Sequence, residues 1–216
     1  MFLASFLAEP IVFLAWLVAM AISVTLHEFA HALSAYLQGD ATAKYSGRLS
    51  LNPLRHLDLW GTLMLLLVGF GWGKPVPYNP YNLRNQKWGP SLVALAGPGA
   101  NLFLILFFGL ILKILVVGGV LDVGNMLYIL IEMIIILNAV WFTFNLIPIP
   151  PLDGSKLLFA ILPRRFDHWK IFLAVRGPLI LIFLIILDRL LNLSLLESLF
   201  NLVIRAVAGM FGLSLL

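Results

Sequence analysis

Long apolar runs broken by short polar clusters set the pattern of this chain. At roughly 20 apolar residues per crossing, four runs are long enough to span a bilayer: residues 11–37, 88–117, 124–147 and 171–191. The first is opened by Pro10 and closed by Gly39, which suits a helix start and stop. Residues 57–70 are apolar but short and run into Gly69, Gly71 and Gly73, the pattern of a short span or a re-entrant segment. The tail, 195–216, carries Glu197 and Arg205 and reads as a further span or an interfacial helix. Residues 41–53, ATAKYSGRLSLNP, read as two short strands around Ser46-Gly47, or as an interfacial turn tied down by Lys44 and Arg48. The expected fold class is all-α: a polytopic transmembrane helix bundle with a short membrane-associated β-hairpin and a re-entrant or short hydrophobic segment, in one domain over residues 1–216.

Composition fixes the setting. Hydrophobic residues make up 62% of the 216 and charged residues only 11%, well outside the range of soluble domains. There is no cysteine, which excludes disulfides and thiolate metal sites, so a metal must be held by His, Asp, Glu or Asn. The first residues lack the basic start and small-residue cleavage site of a signal peptide and are read as part of the mature chain. Of 14 Lys and Arg, ten fall in the connections at one end of the runs: Lys44, Arg48, Arg55, Lys74, Arg84, Lys87, Lys156, Arg164, Arg165 and Lys170. By the positive-inside rule that end is cytoplasmic. The net charge of +4 is accounted for by this bias and by anionic lipid, and calls for no nucleic-acid partner.

Against this apolar background, TLHEFAHALSAY at 25–36 stands out. Ionisable groups inside a membrane are costly and mark function. His27 and His31 are one helical turn apart, so both imidazoles reach a single ion, while Glu28 lies about 100° around the helix, close to that ion without being forced to bind it. This arrangement suits zinc with a carboxylate base. A catalytic zinc site needs a third protein ligand. The run 138–156, NAVWFTFNLIPIPPLDGSK, supplies a candidate: Pro148, Pro150 and Pro151 break the helix, and Asp153 follows the break. Asp153 also fits the N-cap of a short helix; beside a histidine pair that lacks a ligand, metal binding is the favoured reading.

Three separated stretches, HEFAH in the first run, ALAGPGANLF at 94–103 and FNLIPIPPLDG at 144–154, resemble the site-2 protease family of intramembrane zinc metalloproteases. GRLSLNPLRHLDLWGTL and GFGWGKPVPYNPYNLRN are similar to its compact, prokaryotic-type members without a PDZ domain. The resemblance implies Zn2+ bound by His27, His31 and Asp153, Glu28 as the base, and an active-site role for Asn145 in contacting substrate or oxyanion. It implies a transmembrane protein as substrate, cleaved in or near its membrane segment, in a prokaryotic cell membrane, and the basic connections put the site toward the cytoplasm. A substrate helix must first become extended, and an edge of the 41–53 hairpin would pair with it. Gly97 and Asn101 read as a packing face and Asn138 as an interhelical hydrogen-bonding residue. His56 reads as a loop histidine outside the metal site, and Glu132 and Asp188 stay unassigned. Two rivals remain open: a cation transporter using the same three ligands, and an inactive relative that only binds transmembrane helices.

Overall fold

The computed structural model describes residues 9–68, 71, 73–213 and 215. Its α-helices are α1 Pro10–Leu37, α2 Thr42–Tyr45, α3 Leu59–Val68, α4 Gly89–Val117, α5 Met126–Asn145, α6 Gly154–Ile161, α7 Asp167–Leu190 and α8 Leu195–Phe211. Pro10 sits in the first turn of α1, where its missing N–H costs nothing, and Gly39 ends that helix at φ +106°. Asn125 caps α5 by accepting from the Leu127 N–H. Among the described residues, α1, α4 and α5, and α7 with the turn before it, are the four helices long and apolar enough to cross a membrane. They are the four runs expected, with their ends moved by a few residues.

The two uncertain runs resolve differently. With 10 residues, α3 is about 15 Å long, too short to cross about 30 Å of hydrocarbon. Gly69 and Phe70, the end of the expected segment, lie outside the described residues. In the tail, α8 packs Val207 and Phe211 into a core with Ile105, Leu112, Ile131 and Ile135 of α4 and α5. Phe211 lies so close to Gly109 that a Cβ there would come within 2.4 Å of its ring. By contrast α7 buries only Gly177 and Leu181 and exposes Ile171, Val175, Leu179, Ile182 and Ile186. An apolar surface of this size fits lipid.

The expected β-hairpin at 41–53 is not formed. Among the described residues there is no strand, and a lone antiparallel bridge joins Leu57 to Gly73. The cause is Asp40, fully buried at the end of α1. Its Oδ1 accepts from the Thr42 N–H (3.2 Å) and Oγ1 (2.5 Å), which curls the chain at once into α2 instead of extending it. Gly47 then turns at φ +68°, and Asn52 starts a second tight turn by accepting from the Leu54 N–H. The same carboxylate accepts from the Asn79 N–H (2.7 Å) and Asn82 Nδ2 (3.0 Å). Gln38 O accepts from the Arg84 N–H (2.9 Å), so the excursion between α1 and α4 is closed at its base. With α1, α4 and α5 packed as successive neighbours, this excursion and the α5–α7 connection emerge at the same end of the bundle.

Candidate metal centre and active site

His31 lies six residues before the end of α1, and His27 one turn deeper, roughly 9 and 15 Å along the axis from that end. Both are buried. The opposing ligand comes from the broken end of α5. Beyond Asn145 the prolines stop the helix, and the chain turns through Leu152 into α6. Gly154 lets α6 rest directly on that end, since a Cβ at 154 would fall 2.3 Å from the Leu146 carbonyl oxygen. The close approach holds Asp153 opposite the histidines.

The Nε2 atoms of His27 and His31 are 3.0 Å apart, and each is 3.4 Å from Asp153 Oδ2. Ligands at about 2.0–2.2 Å around a tetrahedral zinc lie about 3.3–3.5 Å from one another, so the triangle is close to one face of such a tetrahedron. Asp153 Oδ2 is buried without a hydrogen-bond partner, as expected of an atom turned toward a cation. Although Asp153 occupies the N-cap position of α6, its side chain makes no capping bond. Its carboxylate is turned to the histidines instead. Burial alone would push this carboxyl up; the two histidines facing it outweigh that and hold it at about 2. It is therefore ionised and able to ligate at neutral pH.

Space for this cluster depends on α4. A Cβ at Gly97 would lie 2.4 Å from His31 Nε2 and 2.6 Å from His27 Cε1. Each imidazole is held through its other nitrogen: His31 Nδ1 is 2.7 Å from the Val93 carbonyl oxygen, and His27 Nδ1 is 2.6 Å from Asn101 Oδ1. Carbonyl oxygens at Nδ1 leave Nε2 of both rings for a metal.

Glu28 stands apart from the triangle. It lines a cavity of about 250 Å³ together with His27, Asn145, Leu152, Thr62 and Gly73. Its Oε2 is 4.0 Å from Nη2 of the buried Arg48, which also donates to the Lys74 carbonyl. Burial lowers the pKa of Arg48, and the neighbouring Glu28 charge opposes that. Asn145 ends α5 at the cavity wall, with Nδ2 donating to the Trp141 carbonyl (3.1 Å). The second N–H of that amide leaves it a further hydrogen bond to give. His56 is in the loop, as expected, but fully buried, with Nε2 2.7 Å from the Ser50 carbonyl oxygen. It is not one of the three residues whose ligand atoms converge.

No family model matches the sequence, and no solved structure matches it. Curated relatives do. Over 163 residues the chain is 40% identical to "Putative zinc metalloprotease YwhC" of Bacillus subtilis (strain 168), an overlap that covers 73% of this chain and 74% of that protein. The chain belongs to the site-2 protease family. "Putative zinc metalloprotease Rip2" of Mycobacterium tuberculosis (strain ATCC 25618 / H37Rv) is 30% identical over 190 residues, 84% of this chain and 69% of that protein. Its namesake from Mycolicibacterium smegmatis is 32% identical over 156 residues, 68% of this chain and 57% of that protein.

In this site-2 protease family member the structure brings His27, His31 and Asp153 together and sets Glu28 and Asn145 on one cavity. Four residues that shape the site were missed or misjudged in the sequence. Gly97 and Asn101 were read as packing, yet one makes room for the imidazoles and the other holds His27. An amide deep in an apolar run was the available signal for Asn101. Arg48 and Asp40 act across loops of unpredictable path, and no local pattern marks them.

Proposed function

We propose that this chain is a zinc metalloendopeptidase of the site-2 type, cleaving peptide bonds in or beside the transmembrane segments of other membrane proteins from the cytoplasmic side. The observation that carries the reading is the convergence of three ligand atoms inside a helix bundle, with a carboxylate that is not a ligand on the adjoining cavity. The relatives' names, which call them zinc metalloproteases, support it. When bound, zinc supplies a Lewis acid and the means to acidify a water toward neutrality. Glu28 takes the proton from the attacking water and returns it to the leaving amine. Asn145, already fixed through Trp141, donates its second N–H to the substrate backbone or to the oxyanion as it develops. The α1–α4 excursion contributes Leu57, Thr62 and Gly73 to the cavity wall, and the proline turn contributes Pro151 and Leu152.

The test is cleavage of a transmembrane substrate by the purified protein beside its Glu28→Gln variant, with zinc measured in both. The variant keeps all three ligands, so it retains its zinc and loses turnover by about 10²–10⁴-fold. Turnover at the wild-type rate in Glu28→Gln would remove Glu28 from the chemistry.

A further inference from the structure

Behind His27, a chain of buried polar groups crosses three helices. Asn101 on α4, Asn138 on α5 and Ser23 on α1 are all fully buried. Asn101 Nδ2 donates to Asn138 Oδ1 (2.7 Å), Asn138 Nδ2 donates to Ser23 Oγ (2.8 Å) and to the Ile134 carbonyl (2.7 Å), and Ser23 Oγ donates to the Ala19 carbonyl (2.7 Å).

Both far ends of this chain are backbone carbonyls, which only accept. That fixes its direction throughout. Ser23 gives its one proton to Ala19, so its oxygen must receive one from Asn138. With Nδ2 of Asn138 committed to Ile134 and Ser23, only Oδ1 is left to face Asn101. Asn101 must therefore present Nδ2 to Asn138 and Oδ1 to His27. An oxygen at 2.6 Å requires the proton on His27 Nδ1 and leaves the lone pair on Nε2, toward Asp153 and His31. His31 needs no such chain, because the Val93 carbonyl at its Nδ1 does the same directly.

We infer that Asn101, oriented by Asn138 and Ser23, is a positioning residue that locks His27 in the Nδ1–H tautomer and so sets the affinity of the site for zinc. The inference rests on the zinc reading above and adds that the strength of metal binding is set partly by the packing of α1, α4 and α5. Losing an outer partner of a metal-bound histidine costs about 10–100-fold in metal affinity.

The experiment is a zinc titration of the purified full chain against a chromophoric chelator. Asn101→Leu binds zinc about 10–100-fold more weakly than wild type. Asn101→Asp, which still offers His27 an acceptor, recovers most of that loss, whereas a purely structural role for the amide would not favour Asp over the apolar Leu. Asn138→Leu weakens binding less, since Asn101 keeps its contact with His27. ¹⁵N-histidine spectra of the zinc-loaded wild type show His27 coordinated through Nε2 with Nδ1 protonated. Coordination through Nδ1, Asn101→Leu binding as tightly as wild type, or Asn101→Asp no tighter than Asn101→Leu would each overturn the lock. Where Asn101→Leu does not fold, the wild-type spectrum and the Asp variant against wild type decide. A wild type that binds no zinc overturns both this inference and the function it rests on; a zinc-binding wild type with unaffected variants overturns the lock alone.

Discussion

At position 97 a single methyl group decides whether two imidazoles have room. Its carbon would lie 2.4 Å from His31 Nε2, and the atoms in the way belong to rings pinned at Nδ1 by Val93 and Asn101. Gly97→Ala should therefore displace the rings, at about 1–3 kcal/mol of overpacking, and bound zinc by elemental analysis should fall sharply. Normal zinc in this variant would mean that α4 yields instead of the histidines. Asp153 gives a contrasting case. Because its carboxylate makes no cap bond, Asp153→Ala should spare α6 the loss of about 1 kcal/mol typical of a removed cap, yet leave two ligands where three are needed. Its zinc content should drop while the helical content of the metal-free protein, read by circular dichroism, stays as in wild type.

Among the elements, the clamp at Asp40 has the widest reach, because it joins the start of the excursion after α1 to its return before α4. Burial by itself would raise the carboxyl's pKa, and the hydrogen bonds from Thr42, Asn82 and Asn79 outweigh it and hold it below the usual range. A group lowered in this way stabilises the fold at pH above its unfolded value of about 4, and that contribution is lost as pH falls through the folded value. Asp40→Asn should lower the melting temperature at neutral pH and flatten its fall in acid; an unchanged acid slope would assign the slope to other carboxylates. The long helices were legible because hydrocarbon demands some 20 apolar residues in a row, and the three converging side chains because HEFAH and the proline-Asp turn are local patterns. The hairpin was misread because residues 41–53 were judged by their own pattern, while Asp40, one residue earlier, determines their path with partners about forty positions away. Asn101 was legible as an oddity, but not as His27's partner, because that contact joins separate helices.

For the molecule as a whole, the testable quantity is the side from which each part can be reached. The absence of cysteine lets single introduced thiols report it. The basic residues gathered at one end, nine in the two connections and Lys170 in the first turn of α7, predict that Ser46→Cys, exposed in that excursion, is labelled from the cytoplasm, and Asp122→Cys, exposed between α4 and α5, from outside. Leu152→Cys, buried on the cavity wall, should react from the cytoplasm more slowly than Ser46→Cys. Labelling of position 46 from outside would invert the topology. The ligand triangle has another reach at this scale. It ties α1 to a turn beyond α5, so an ion held there acts as a staple across most of the chain, and an unfolded chain has no such preformed site. Stability then grows with free zinc as RT ln(1 + [Zn]/Kd), about 4 kcal/mol at a thousandfold excess. Zinc starvation should accordingly deplete the protein by degradation, as well as silencing the molecules that remain, and its half-life in cells should follow metal supply.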